Sequence, residues 1–309
     1  MKVEVQSKKL VQPSAPTPNQ SRKLGLSFID DLLFSKHAGI VYYYRAREST
    51  HEIHTLQRLH RLEESLSETL ALFYPLAGRY VEEGLFIDCN DQGAEVIQAK
   101  VDGTLDQLLQ GDLDRDLFNS LSKFPLPAAN NPLVVVQVNS FNCGGLAISL
   151  RFSHKIGDMY TMAMFMNSWA TACRSGIQEV VPPNFELPSL FPVKEPALIQ
   201  WPTLPFRKKF ALARLKFSGQ ALSRLKAASN ASNSSDSIAN NSQSWCRFPL
   251  YDSDFGWGKP DSVSNASPPL RSVGLVDSPA DGGIDAWITL NQDEMALFKQ
   301  DPDIVACTS

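Results

Sequence analysis

The sequence predicts a mixed α/β protein of about two domains, or one large domain, and three observations support this prediction. The chain has 309 residues, whereas soluble domains usually have about 100–200 residues each. Residues 51–73 carry leucines at steps of three and four, which is the spacing of one helix face. Apolar runs at 133–138 and 145–152 indicate two buried strands, and a helical pattern over 158–173 follows them.

Composition and charge exclude several classes of protein. Lys and Arg number 29 and Asp and Glu number 33, so the formal charge is −4, which argues against a nucleic-acid binder that relies on positive charge. The N-terminus lacks the apolar core of a secretory signal, and no run of about 20 apolar residues occurs. The five cysteines are widely spaced, without a Cys-x-x-Cys pair. These features predict a cytoplasmic protein with free thiols, no metal site, and no membrane or nucleic-acid partner.

In the N-terminal half, apolar patterns and turn residues mark the elements in order. Pro75 and Gly78 end the long helix, because proline lacks an amide donor and glycine favours turns. The turn Asn90-Asp91-Gln92-Gly93 separates two short strands. The predicted elements are an edge strand at 2–6, a strand at 40–45, the helix at 51–73, strands at 85–88 and 94–98, and a short helix at 105–109.

In the C-terminal half, the order is strand, turn, strand, loop and helix up to residue 173. Seven prolines make the region 178–206 loop-like and the best candidate for a crossover between domains. The Ser- and Asn-rich stretch 229–243 has little apolar area to bury, so we predict that it is flexible. The remaining predicted elements are a strand at 210–217, a helix at 219–228, strands at 271–276 and 284–290, and a helix at 292–299.

The main candidate for chemistry is the run His154-Lys155-Ile156-Gly157-Asp158, which lies where an apolar strand ends and a helix begins. Functional side chains are frequent on such loops. A histidine there can accept a proton from a hydroxyl or amine at neutral pH, and a carboxylate four residues later can brace the loop. The residues alone also allow a second interpretation, in which a solvated His154 stands beside an Asp158 that caps the helix.

A second candidate is the loop Asp254-Phe255-Gly256-Trp257-Gly258. Two glycines around a tryptophan indicate a tight turn whose ring anchors the loop, and the loop has neither a nucleophile nor an acid–base pair. We therefore predict a structural role for it. The sequence contains no Gly-x-Ser-x-Gly elbow and no phosphate-binding Gly-x-x-x-x-Gly-Lys-Ser/Thr loop, which disfavours a serine hydrolase and a P-loop protein.

The two candidates occur together, in an order known from one family. His154-x-x-x-Asp158 followed by Asp254-Phe255-Gly256-Trp257-Gly258 resembles the plant BAHD acyl-CoA-dependent acyltransferases, in particular the branch with vinorine synthase and other alkaloid or alcohol acetyltransferases. The resemblance covers 20–232 and 243–307. Further agreeing segments are Leu26-Ser-Phe-Ile-Asp30, Phe73-Tyr-Pro-Leu-Ala-Gly-Arg79, Asp88-Cys-Asn-Asp91, Phe141-Asn-Cys-Gly-Gly145, Ser153-His-Lys155, Ser244-Trp-Cys-Arg247 and Asp285-Ala-Trp287.

The resemblance implies a fold and an activity. The fold would be two α/β domains of the chloramphenicol-acetyltransferase type, with mixed sheets and a solvent channel between them. An N-terminal domain over 1–195 would carry the His154 motif, 196–209 would be the crossover linker, and a C-terminal domain over 210–309 would carry the Asp254 motif. The chain would move an acyl group, with acetyl favoured, from acyl-CoA to a hydroxyl or amine of a specialised plant metabolite such as an alkaloid or alcohol. Acyl-CoA would be a co-substrate, no cofactor would be bound, and the protein would be a monomer.

The resemblance also implies residue roles. His154 would stand mid-channel, deprotonate the acceptor, and return the proton to the leaving CoA thiolate without an acyl-enzyme. Asp158 and Gly157 would shape the loop, and Asp158 would point away from the channel and ion-pair with an arginine. The loop from Asp254 to Gly258 would be structural and remote from the substrates.

The sequence departs from the family in one respect. Family members carry a further segment, the size of a small domain, between the Ser- and Asn-rich stretch and Trp245. That segment supplies strands of the second domain, part of the CoA site, and an Asn-Leu-Arg stretch whose arginine pairs with the loop aspartate. Here residue 232 passes almost directly to 243. The second domain is therefore expected to be incomplete, and an inactive truncated paralogue or mis-spliced product stands as the alternative to an active enzyme.

Overall fold

The computed structural model describes residues 1–33, 37–47, 52–110, 115–123, 131–194, 210–231, 241–266, 271–279 and 282–307. The strands in these residues are β1 (Val3–Val11), β2 (Lys23–Gly25), β3 (His37–Tyr44), β4 (Arg79–Val81), β5 (Phe86–Asp88), β6 (Ala94–Val101), β7 (Val134–Phe141), β8 (Leu146–Ser153), β9 (Phe210–Phe217), β10 (Asn241–Ser244), β11 (Ser262–Asn265), β12 (Ser272–Asp277) and β13 (Ile284–Asn291). The α-helices in these residues are α1 (Phe28–Asp31), α2 (Glu52–Leu72), α3 (Leu105–Gln110), α4 (Arg115–Ser120), α5 (Met159–Ser175), α6 (Leu187–Leu190), α7 (Gly219–Ala231), α8 (Gln292–Gln300) and α9 (Pro302–Cys307).

The chain divides into two compact units. The first unit contains a six-stranded sheet in the order β1-β6-β7-β8-β3-β11 and a small sheet in the order β2-β5-β4. The second unit contains a four-stranded sheet in the order β10-β12-β13-β9. Both larger sheets mix parallel and antiparallel pairs, which confirms the predicted α/β class. The first unit is Met1–Gln110, Leu117–Pro202 and Pro249–Ala266, and the second is Gly111–Asp116, Thr203–Phe248 and Ser267–Ser309.

The strands β7 and β8 form the buried centre of the first unit. Every residue of β8 is buried, and in β7 only Ser140 is partly exposed. Because both faces of these strands are covered, their sequence reads as a nearly continuous apolar run instead of an alternation. The turn between them uses Gly144 at a φ of +79°, a conformation that side chains rarely adopt. The predicted pair of buried strands is confirmed.

The helices α2 and α5 pack together in the first unit. Leu62, Leu66 and Leu70 of α2 are buried, and burial of each leucine contributes about 1.5–3 kcal/mol. Trp169 of α5 donates its Nε1–H to the carbonyl of Leu62 at 3.0 Å. Leu56, the first leucine of the predicted stripe, is 65% exposed, because the core-facing part of α2 begins about one turn later.

The two short strands around the predicted turn at residues 90–93 do not pair with each other. β5 pairs with β2 and β4 in the small sheet, whereas β6 pairs with β1 and β7 in the large sheet. The turn therefore carries the chain from one sheet to another. Local turn chemistry predicts where a strand ends, but the partner of each strand is set by residues far away in the sequence.

The predicted C-terminal domain, 210–309, is not one unit, because Pro249–Ala266 packs with the first unit. β11 pairs antiparallel with β3, from Ser262 opposite Tyr43 to Asn265 opposite Ile40. This pairing covers an edge of β3 whose amide and carbonyl groups would otherwise lack partners. The predicted linker over 196–209 lies outside the described residues, so its role stays a prediction.

In the second unit, β9 and β13 pair along their full length. Ala213, Ile288 and Leu290 pack with Met295 of α8 and form its core. Most of the predicted flexible stretch, 229–243, lies outside the described residues. Its last part is a strand, because β10 finds hydrogen-bonding partners in β12, and there the prediction was wrong. No helix in the described parts of the two units is long and apolar enough to cross a bilayer.

Candidate active site

His154 is the first residue after β8, in the turn that leads to α5. The amide of Ser153 donates to the carbonyl of Leu133 at 2.9 Å, and the amide of Ile156 donates to the carbonyl of Ser153 at 3.1 Å, which closes the turn. The imidazole is half-buried at the end of a fully buried strand. The predicted order of strand, loop and helix is confirmed, and His154 lies where that order puts it.

Asp158 is the N-cap residue of α5. Its Oδ1 accepts hydrogen bonds from the amide of Thr161 at 2.8 Å and from the hydroxyl of Thr161 at 3.0 Å. Such a cap satisfies an amide that the first helical turn would leave without a partner. None of the ion pairs found among the described residues includes Asp158. The cap geometry supports the loop-shaping role, while the arginine partner that the resemblance implies stays a prediction.

Gly157 is required by the close approach of the same threonine. A Cβ atom at position 157 would lie 2.7 Å from Cγ2 of Thr161, and a contact this short forces one group to move. Any larger residue here would therefore push Thr161 away from Asp158 and disturb the start of α5.

Lys155 is a buried lysine that braces this loop, and sequence reasoning gave it no role. Its side chain is only 10% exposed, and Nζ lies 3.8 Å from a carboxylate oxygen of Asp31. Nζ also donates to the carbonyl of Asp31 at 3.1 Å. These contacts tie the loop to the end of α1, where helix carbonyls attract a cation. A lysine inside a polar motif gives no sequence signal of burial, so only the structure could identify this contact.

The surroundings of His154 favour its neutral form. Burial lowers the pKa of His154 below the ordinary value of 6.5, and it outweighs the hydrogen bond with the Gly157 backbone and the Asp158 carboxylate, which both raise the pKa. The imidazole is therefore neutral at pH 7. A neutral imidazole can accept a proton, which is what a general base must do.

A second histidine, His37, lies at the start of β3, opposite Ser153 in the strand pairing. Its Nε2–H donates to the carbonyl of Pro132 at 2.9 Å. Burial lowers the pKa of His37; the hydrogen bond with Pro132 partly offsets this, and the positive charge of Arg151 lowers the pKa further. Sequence reasoning missed His37, although a histidine at the start of a buried strand was a usable signal.

The Asp254–Gly258 loop is built around one carboxylate. Oδ1 of Asp254 accepts hydrogen bonds from the amides of Gly256 at 2.9 Å and Gly258 at 2.8 Å. Gly256 and Gly258 have φ angles of +104° and +106°, which residues with a side chain rarely adopt. The carboxylate thus folds the loop back on itself, and the two glycines permit the turn.

Aromatic packing anchors this loop on α5. The ring of Phe255 lies 5.0 Å from that of Trp169 and 5.4 Å from that of Trp257. Arg174 lies 3.6 Å from the carboxylate of Asp254. α5 has 17 residues, about 25 Å at a rise of about 1.5 Å per residue. His154 precedes this helix and Arg174 lies near its end, so the geometry separates the loop from the imidazole.

Two further predictions from the sequence concern free thiols and metal ligands. Cys89, Cys143, Cys173 and Cys246 are free thiols. Within the described ranges, no group of three or more His, Cys, Asp or Glu side chains is arranged to hold a metal ion.

Comparison with known proteins relates the chain to one family. The transferase family model matches residues 1–216 and 214–305. The acetyl-CoA-benzylalcohol acetyltransferase of Clarkia breweri is 42% identical over 228 residues, which is 73% of this chain and 52% of that protein. The chain thus spans about half the length of the first curated relatives it matches.

A relative matched along nearly its whole length shows that the difference in length is internal to the chain. The stemmadenine O-acetyltransferase of Catharanthus roseus is 27% identical over 414 aligned positions, which cover 97% of this chain and 96% of that protein. This chain has 309 residues, so at least 105 aligned positions (414 less 309) have no residue here. The missing residues are internal to the alignment, which agrees with the incomplete second domain predicted above.

The crystal structure of vinorine synthase shows the same fold. It superposes with a TM-score of 0.83 at 23% sequence identity, covering 100% of this chain and 99% of that one. At this identity the match establishes the architecture, a chloramphenicol-acetyltransferase-like fold with a shortened second domain.

Proposed function

This chain belongs to the plant BAHD transferase family, and from that premise we propose that it transfers an acetyl group from acetyl-CoA to a hydroxyl or amine of a small plant alcohol or alkaloid. One structural observation carries the proposal. A half-buried histidine with a lowered pKa stands at the end of a fully buried strand, on a loop capped by Asp158 and braced by Lys155.

The chemistry follows from the neutral state of His154. The imidazole accepts the proton of the acceptor hydroxyl as the acceptor oxygen attacks the thioester carbonyl. The carbon–sulfur bond then breaks, and the protonated imidazole gives its proton to the CoA thiolate. The products are an ester and CoA thiol, so no covalent enzyme intermediate and no further reactant is needed. A fixed loop serves this step because an imidazole misplaced by about 1 Å can cost about 100-fold in rate.

Benzyl alcohol is the first acceptor to test. A relative that is 42% identical over 228 residues is named for acetyl transfer from acetyl-CoA to benzyl alcohol. Other relatives named as O-acetyltransferases act on stemmadenine and salutaridinol. We therefore propose an apolar ring-bearing alcohol as the acceptor class, with alkaloid alcohols as the second choice.

The direct test is acetyl transfer by purified protein and by His154→Ala. CoA thiol release and gas chromatography of the ester measure turnover with acetyl-CoA and benzyl alcohol. Loss of the base should lower the rate at least about 100-fold. His60→Ala is the matched control, because His60 is a solvent-exposed histidine on α2 paired with Glu64. Full activity of His154→Ala in a variant that folds would show that the assigned base is wrong.

The pH profile gives a second readout of the same role. The base works only when neutral, so kcat/KM should rise with pH and level off once the imidazole has lost its proton. Because burial lowers the pKa of His154, this acid limb should lie below pH 6.5. An acid limb centred above that value would contradict the assignment.

An inactive product is the second candidate function, and the shortened alignment favours it. At least 105 aligned positions of the stemmadenine O-acetyltransferase (414 less 309) have no counterpart in this chain. Thermal unfolding with and without CoA separates the two candidates, because a ligand that binds the folded state raises the melting temperature. A cooperative transition that saturating CoA does not shift, together with no turnover, would favour the inactive form.

A further inference from the structure

A cavity of about 450 Å³ lies against the loop that carries His154. Lys155, Ile156, Gly157 and Asp158 line it, whereas His154 is not among its lining residues. We call it the loop cavity. It belongs to the first unit alone, and its volume falls within the range of about 300–1,000 Å³ typical of small-molecule sites. The side chain of the proposed base therefore does not line this cavity.

The walls of the loop cavity are apolar and include two aromatic rings. Phe73 and Phe185 line it together with Leu26, Leu76 and Ile87. The ring of Phe185 is held by an edge-on contact with Tyr74, with the ring centres 5.1 Å apart. Such walls favour a ligand with an apolar or aromatic body.

The mouth of the loop cavity exposes apolar side chains to water. Ile29 on α1 is 48% exposed and Leu187 on α6 is 41% exposed, and both line the cavity. A cavity rimmed by exposed apolar groups is accessible to a ligand from solvent, and its occupation would remove those groups from water.

Two carboxylates at the cavity, those of Asp30 and Asp158, accept hydrogen bonds but have no cation within ion-pair distance among the described residues. The ammonium of Lys155 is occupied by Asp31, and the carboxylate of Asp30 accepts the amide and hydroxyl of Ser27 at 3.0 and 2.6 Å. Asp158 is exposed, and the hydrogen bonds found for its carboxylate are made by Oδ1, to Thr161. No cation among the described residues lies within ion-pair distance of it. Among the described residues, the exposed carboxylate of Asp158 thus stands at the edge of an apolar cavity without a cation.

We infer that the loop cavity binds a small aromatic or alicyclic amine, with its apolar body between Phe73 and Phe185 and its ammonium group at the carboxylate of Asp158. The amine would fill the apolar volume and bring a positive charge to the carboxylate of Asp158. Binding at this place would act on the loop that holds His154 without occupying the position of the acceptor.

Calorimetric titration in the absence of any acyl donor tests the inference, so its outcome does not depend on acyl transfer. The probes are 2-phenylethylamine, 2-phenylethanol and 3-phenylpropionate at pH 7, which share a ring and differ in charge. The amine should bind about fivefold more tightly than the alcohol, as expected for one partly exposed ion pair, and the carboxylate should bind most weakly. In Asp158→Asn, which keeps the helix cap, the advantage of the amine over the alcohol should disappear.

A pair of variants on α1 tests the location. Ile29→Trp narrows the mouth and should abolish binding of the amine. Phe28→Trp is the matched control, since Phe28 is equally exposed at 48% but does not line the cavity. If Ile29→Trp fails to fold, Leu187→Trp, at another exposed residue that lines the cavity, carries the same expectation. No binding of the amine to the wild-type chain, equal affinity for amine and alcohol, or equal affinity of the mouth and control variants would overturn the inference.

Discussion

Replacement of Lys155 by methionine should cost more stability than replacement of an exposed lysine whose ion pair is shorter. Lys155 lies 3.8 Å from a carboxylate oxygen of Asp31, and the two side chains are 10% and 5% exposed. Lys259 lies only 2.8 Å from Asp252, but these side chains are 62% and 57% exposed. Judged by distance alone, the Lys259–Asp252 pair would be the stronger one. Burial reverses that order, because water screens the exposed pair and is excluded from the other.

The expected losses in the free energy of unfolding differ clearly between the two lysine variants. Removal of one partner from a buried pair costs about 3–5 kcal/mol, and a hydrogen bond to a charged group contributes about 1.5–3 kcal/mol. Since the Lys155 pair is long and its hydrogen bond to the Asp31 carbonyl is good at 3.1 Å, we expect a loss of about 3 kcal/mol, at the lower end of the first range. For Lys259→Met the expected loss is about 0–1 kcal/mol. Methionine keeps the unbranched apolar stem in both variants, so packing changes little.

Urea denaturation followed by circular dichroism measures both losses from the shift of the midpoint at constant slope. The double variant Lys155→Met with Asp31→Asn adds a test of the pair itself, since most of the cost should disappear when both charges are removed. Equal losses for the two lysine variants would refute the reasoning that burial outweighs distance here. A double variant as unstable as the sum of its single variants would refute the pairing of Lys155 with Asp31.

Two further predictions concern the aspartates of the two motifs. Asp158→Ala should destabilise the protein by about 1 kcal/mol through loss of the α5 cap, whereas Asp158→Asn should lose much less because asparagine also caps helices. The midpoints of urea denaturation measure both losses, and equal losses for the two variants would contradict the cap. Burial by itself raises the pKa of Asp254. The amides of Gly256 and Gly258 and the charge of Arg174 lower the pKa by a larger amount, so the net pKa lies below its usual value of 3.8. Its stabilising contribution is therefore complete above about pH 4, the unfolded value, and disappears as pH falls through the lower folded pKa. Acid titrations of wild type and Asp254→Asn should converge below that range, and a constant difference in stability down to pH 2 would contradict this account.

Much of the first unit could be predicted from sequence because its elements carry strong local patterns. The leucine spacing of α2 and the unbroken apolar runs of β7 and β8 follow from periodicity and burial alone. The partners of short strands could not be predicted in the same way. β11 carries no pattern that assigns it to β3, whose closest residues lie more than 200 positions earlier, because strand pairing joins backbone groups that are the same in every residue.

The same distinction between local sequence patterns and long-range contacts applies to the candidate site. The motif placed His154 on a loop between strand and helix, and the family resemblance gave it a role; the structure then added Lys155 and His37, which the motif did not single out. Both are polar side chains whose importance comes from burial, and burial is a property of what packs around a residue.

By itself, the sequence determined the α/β class, the position of His154 between β8 and α5, and the membership of a family through two ordered motifs. Only the tertiary structure decided that Pro249–Ala266 returns to the first unit and that a buried lysine braces the loop. It also confirmed the helix cap, which the sequence offered as one interpretation of Asp158. The physical reason is the separation along the sequence over which each effect acts. Periodicity and turn chemistry act between residues that are close together in the chain. Strand pairing, desolvation and charge balance depend on groups that only folding brings together.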